Sequence, residues 1–203
     1  MRSVLIFTCA LTIAAGPGGA AQHTRGRPET AHEYAHRLVS KRSLALAGAS
    51  AAVGQVRNHP HEWGTGIGGY ARRVGSALGE HVVKETIQFG VATLHHEDLH
   101  YYRSNLHGTL PRLGYAVKST FIVPRTDRAG KTVAAGRISG AFGAGIVSRA
   151  WQPASTAGIG AGIASGGIIL GADVGANVAR EFWPRKKARP PRRHSARRTA
   201  HSS

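Results

Sequence analysis

Apolar positions recur every three to four residues along most of this chain, and proline or polar clusters interrupt them. The pattern predicts an all-α protein of about five helices. Thr30-Ala31-His32-Glu33 has the form of a capping box, with Thr30 as N-cap and Glu33 at the third helical position. It predicts a first helix running to residue 56, stopped by Asn58-His59-Pro60. After a loop at 60–66, a second helix is predicted over 69–94. Tyr70, Val74, Leu78, Val82 and Ile87 supply its apolar stripe, and Arg72, Arg73 and Lys84 fall largely off it. Pro111 opens a short third helix reaching about residue 121, and Val123-Pro124 ends it. Residues 125–130 read as a turn. A fourth helix is predicted over 132–150, broken by Trp151-Gln152-Pro153, and a fifth runs from 154 to Phe182-Trp183-Pro184. Strand-like alternation is scarce.

The fifth helix carries a glycine ladder. Gly158, Gly162 and Gly166 are four apart, and so are Gly167, Gly171 and Gly175. On a helix each set forms a groove with almost no side chain, which lets another backbone come close. Gly75 and Gly79 repeat that spacing in the second helix, and Gly136 and Gly140 in the fourth. A helical glycine costs about 1 kcal/mol relative to alanine, so close packing must offset it. The two last helices are joined by a short turn and are expected to form an antiparallel apolar hairpin, buried or at a membrane surface. All six ladder glycines are expected to seat the last helix on the fourth, so Gly162→Leu or Gly171→Leu should disrupt the fold or its membrane association. A transmembrane span is the alternative. Residues 154–172 contain no charge, but only Ile159, Ile163, Ile168, Ile169 and Leu170 are strongly hydrophobic, and Asp173 follows.

The N-terminus changes where this helical protein is expected to act. Arg2, an apolar run over 4–15, Gly16-Pro17 and the small residues Gly18 to Ala21 form a secretory signal peptide, cut after Ala21. The remainder, about 180 residues, suits one domain with extensions. Its expected parts are an N-terminal helix and linker at 22–61, a helical domain at 62–184 and a tail at 185–203. Cleavage removes Cys9, the sole cysteine, so neither disulfides nor thiol chemistry remain.

Charge adds a second surface. The chain holds 27 Lys and Arg against 10 Asp and Glu, a formal net charge of +17. Part of it lies in the tail, where Arg185, Lys186, Lys187, Arg189, Arg192, Arg193, Arg197 and Arg198 stand with no acid. Such a segment buries too little apolar surface to offset its chain entropy and is expected to be disordered. For an exported chain its fitting partners are anionic lipid headgroups or envelope polymers, and nucleic acid is unlikely. A solvated tail without a dedicated partner is the plainer alternative.

One motif suggests catalysis. His96-Glu97-Asp98-Leu99-His100 matches H-E-x-x-H, which on a helix places His96 and His100 one turn apart for zinc and Glu97 as general base on a metal-bound water. The extension with a third ligand would need glycine at 103 and histidine at 106, where the chain has Arg103 and Leu106. Glu181, the one downstream glutamate, lies in a context unlike the usual partner helix. Incidental metal binding by His95, His96 and His100 is a milder alternative, and a structural helix end whose Glu97 and Asp98 pair with arginines is another. There is no P-loop, no dinucleotide-binding glycine motif and no nucleophile elbow.

Several segments together, namely Glu62-Trp63-Gly64, Gly69-Tyr70, Arg73, His96-Glu97-Asp98, Tyr101-Tyr102, Arg112, Tyr115-Ala116, Trp151, Pro153, Asn177 and Glu181-Phe182-Trp183-Pro184, resemble an uncharacterised family of exported proteins from acidobacteria. The resemblance covers residues 62–184 and brings no activity or cofactor. It implies that arginine commonly stands in the place of His100, which a zinc site would not survive. It implies instead a structural His96-Glu97-Asp98 corner, held by charge-assisted bonds to Arg103 or Arg112. The sequence as a whole predicts a non-enzymatic envelope protein, associated with a membrane or another envelope protein through its glycine-rich C-terminal helices. A zinc hydrolase and a tail-driven binder of anionic polymers or lipids are the alternatives.

Overall fold

The computed structural model describes residues 26–184; the predicted signal peptide and the basic tail lie outside the described residues. The fold is all-α apart from one hairpin. Its helices are α1 (Ala31–Leu38), α2 (Lys41–Val56), α3 (Ile67–Leu94), α4 (Thr109–Phe121), α5 (Ala135–Val147) and α6 (Ile159–Phe182). The strands β1 (Ile122–Pro124) and β2 (Lys131–Val133) pair antiparallel, with Val123 opposite Thr132. The central helix α3 packs between α2 and α5, α6 packs on α5, and α4 closes against α6.

The predicted first helix is two helices. The Thr30–Glu33 capping box forms as expected, but a second one follows at Ser40, whose side chain accepts from the Ser43 amide at 3.0 Å. A serine that bonds the backbone locally competes with the helix ladder and starts a new helix. α1 lies on α3 through Tyr34, which stacks on Phe89 at 4.7 Å. The hairpin goes beyond the expected elements: its strands are three residues long, too short to show alternation. The predicted 125–130 turn is the connection between them.

The expected apolar stripe of α3 holds in part: Val74, Leu78 and Ile87 are half-buried, with Ile87 against Gly143 of α5, and Arg72 is exposed, but the fully buried positions are small or polar. The buried residues of α3 are Gly69, Arg73, Glu85, Gln88 and Ala92, whereas Tyr70 and Val82 of the apolar stripe are exposed. Arg73, only 4% exposed, ties down the preceding loop. It donates to the carbonyls of His59 at 3.0 Å, Pro60 at 2.8 Å and Gly64 at 2.7 Å, and to Gln55 at 2.6 Å.

Glycine sets the close approach of α3, α5 and α6. A Cβ on Gly136 or Gly140 would lie 2.8 Å from a carbonyl oxygen of α3. One on Gly145 would collide with the Gly162 carbonyl, and one on Gly166 would lie 2.8 Å from the Phe142 Cα. Gly162 of α6 thus meets Gly145, and Gly166, further along α6, meets the earlier Phe142 of α5, so the two helices form an antiparallel hairpin. The ladder is not uniform, however. Gly162 and Gly166 face α5, but a Cβ on Gly158, Gly167, Gly171 or Gly175 would meet nothing within 4 Å. Gly158 is the N-cap, ahead of the first helical turn, and the other three lie on the side of α6 turned away from α5. The same correction applies to Gly75, which faces open space, whereas a Cβ on Gly79 would rest 3.4 Å from the Trp151 indole.

Candidate functional site

The H-E-x-x-H segment is not helical. α3 ends at Leu94, and His96, with φ of 55°, turns the chain out of it. Residues 96–98 then run beside β1: the Asp98 amide donates to the Pro124 carbonyl at 2.9 Å, and the Thr126 amide donates to that of His96 at 2.8 Å. His96 and His100 are therefore not successive turns of one helix face, and the zinc reading loses the geometry it relied on. Glu97 is buried and accepts the Gly136 amide at 3.0 and 3.2 Å, at the N-terminus of α5. Burial raises its pKa above the ordinary value, against the opposing pull of the Gly136 and Ala135 amides. The His100 ring donates to Asp98 at 2.8 Å, which occupies its Nδ1. Among the described residues no group of three or more His, Cys, Asp or Glu is placed to hold a metal ion.

Asp98 is fully buried and acts as a hub. It accepts the Arg27 amide at 2.8 Å, the His100 amide at 2.9 Å and the Tyr102 hydroxyl at 2.8 Å. Burial, with the Asp98 carboxylate beside it, pushes the Tyr102 pKa up to about 12. This corner fixes the chain after α3 through amides and a phenol. The expected arginine partners, Arg103 and Arg112, are engaged elsewhere.

They serve Glu181, in the last turn of α6, whose side chain is 0% exposed. Its carboxylate accepts the Ser104 hydroxyl at 2.5 Å, the Ser104 amide at 3.0 Å, Tyr101 at 2.8 Å and Arg112 Nε at 3.0 Å. Burial works to raise the Glu181 pKa, but the Ser104, Arg112 and Tyr101 hydrogen bonds outweigh it and hold the value down at about 2. Arg103 donates to the carbonyls of Glu181 and Trp183, both at 2.6 Å, and Arg112 Nη2 donates to the Glu181 carbonyl. The helix end is thus capped by two guanidinium groups. The sequence signal for this was an acid at the end of an otherwise apolar helix, where a carboxylate needs partners supplied from another element.

Beside this cap lies a cavity of about 590 Å³. Arg103, Arg112, His107, Leu106, Phe182 and Trp183 line much of it, and among the described residues no acid contributes to its wall. The Arg112 guanidinium stands 4.6 Å over the Phe182 ring.

Several charges of the helical bundle point inward, although Arg72 and Arg180 stay exposed. Lys84 of α3 pairs with Asp173 of α6 at 2.8 Å, which gives the acid after the uncharged run a partner. Glu80 accepts Ser165 at 2.8 Å and Ser148 at 3.0 Å. Buried Arg137 donates to the carbonyls of Thr120 at 2.7 Å and Ser119 at 3.1 Å. Many outward side chains are large and apolar: Ile159 is 70% exposed, Ile168 74%, and Ile163, Val82, Leu94, Ile146 and Val147 are also exposed. Their counterparts in the core are chiefly alanines. α6, with 24 residues, is the one described helix long and apolar enough to cross a membrane, and little of its apolar stretch is buried. The sequence did not show these exposed apolar positions because periodicity gives a helix its faces without saying how fully each is enclosed. The predicted anionic-surface residues, Arg185 to Arg198, lie outside the described residues. Comparison with known proteins found no family model, no curated protein and no solved structure that matches the chain.

Proposed function

We propose that this chain is an exported, non-enzymatic protein of the cell envelope, held against the apolar phase of a membrane by the outer faces of α3, α5 and α6. One observation carries the reading: many isoleucines and valines of these helices are exposed, while the core is chiefly glycine, alanine and charged side chains held by ion pairs or hydrogen bonds. In water this arrangement is unfavourable, at roughly 25 cal/mol per Å² of apolar surface left exposed. Against hydrocarbon it is the expected one, because helices there meet through small residues and keep their charges inward and paired. Exposed apolar area on this scale also marks contact surfaces generally. Export rests on the signal-peptide pattern of residues 1–21. The resemblance to exported proteins of acidobacteria fits the same compartment.

Fractionation of the tagged protein tests this. It should sediment with membranes, resist release by high salt and be freed by detergent. Salt resistance separates apolar association from attraction through the basic tail, which salt screens. Paired Ile163→Asp and Ile168→Asp replacements should move the protein to the soluble fraction while leaving it folded. Wild-type protein recovered wholly in the soluble fraction would refute the proposal.

A further inference from the structure

We propose that the cavity at the end of α6 binds the phosphate headgroup of an anionic amphiphile. The charge balance of the site comes first. Among the described residues two arginines and a histidine contribute to its wall and no acid does. The one carboxylate behind it, Glu181, is already saturated by four hydrogen bonds from Ser104, Tyr101 and Arg112. Of the two guanidinium groups only Arg112 pairs with that carboxylate, and Arg103 bonds backbone carbonyls alone. Nε of Arg103 is buried without an acceptor, so donors exceed acceptors here. The adjoining residues 185–203 carry no acidic side chain that would supply the missing anion.

Preorganisation comes second. Arg103 is fixed by two backbone carbonyls, and Arg112 by Glu181 and by the face of Phe182. Guanidinium groups held in place match phosphate oxygens with little further ordering cost. Placement comes third. Leu106, Phe182 and Trp183 give the same cavity an apolar wall, and a volume of about 590 Å³ admits a headgroup with the start of its chains. Trp183, 70% exposed, caps the C-terminus of α6, and tryptophan at the end of a helix in an apolar phase favours the level of lipid headgroups. Phosphate on the arginines and an acyl chain along the aromatic wall use both halves of the cavity. The lipid as the source of that phosphate rests on the membrane reading above.

The test uses full-length protein and dihexanoyl phosphatidic acid below its micellar concentration, with binding followed by calorimetry. Saturable one-to-one binding is expected. Dihexanoyl phosphatidylcholine and inorganic phosphate should each bind at least about tenfold more weakly. His107→Glu puts a negative charge on the wall, and Trp183→Ala removes the largest part of its apolar side. Both residues are exposed and their side chains lie outside the Glu181 network, so both variants should keep the wild-type melting temperature and lose about tenfold in affinity. A chain with all eight Lys and Arg of 185–203 replaced by Gln should bind as wild type. Equal binding of inorganic phosphate would make this an ordinary anion site and overturn the proposal. So would unchanged binding in both cavity variants, or loss of binding in the tail variant. The membrane reading fails separately: phosphatidate binding with a wholly soluble protein would remove the membrane and leave the site.

Discussion

The two glycine ladders of α6 have the same spacing and different surroundings. On one side Gly162 and Gly166 share a buried stripe with Asn177 and Glu181, and Gly162 and Gly166 meet the backbone of α5. On the other side Gly167, Gly171 and Gly175 face open space among exposed isoleucines. A four-residue spacing therefore states that a groove exists and not that a backbone fills it. What separates the sides is the partner helix: α5 carries its own glycine, Gly145, at the crossing point.

The contrast predicts large effects on the enclosed side and small or opposite ones on the other. Glu181→Ala should be the most damaging, at about 3–5 kcal/mol, because it leaves Arg112 and the Ser104 and Tyr101 donors without their acceptor; chemical denaturation measures it. Gly166→Leu should cost about 3 kcal/mol, since its side chain begins inside the space of Phe142. A variant as stable as wild type would mean that α5 and α6 pack more loosely than described. Acid should act through the same side. The Glu181 pKa lies below its ordinary 4.5, at about 2, so its stabilisation is complete above pH 4.5 and lost as the pH falls toward 2. That limb should be missing from the acid titration of Glu181→Gln. On the outer side Gly171→Leu should raise stability in detergent by about 1 kcal/mol, the gain in helix propensity at a position where the new side chain meets open space. A drop in its melting temperature would show that the outer ladder is packed after all.

The positions of the helices were legible because their stops are covalent. Pro60, Pro124, Pro153 and Pro184 lie between or beyond the helices at four of the expected breaks, and only the break after α3 lacks one. The split at Ser40 was hidden in a second, weaker capping pattern, Ser40 to Ser43. The candidate site was less legible. His96 and His100 are four apart, the spacing of one helix face, but His96 takes a left-handed conformation that ends the helix. The pairs that matter, Glu181 with Arg112 and Lys84 with Asp173, join residues 69 and 89 positions apart, and a local pattern holds no trace of them. Arg73 does lie off the apolar stripe, as its position in the sequence implies, yet in this bundle it is buried.

A core of alanine, glycine and paired charges also alters how the fold responds to temperature. The heat capacity released on unfolding scales with apolar surface newly given to water, and here much of the large apolar surface is outside the core from the start. Calorimetry in detergent should give a small heat-capacity increment for a chain of this length. The stability curve would then be broad and flat, changing little between cold and warm surroundings.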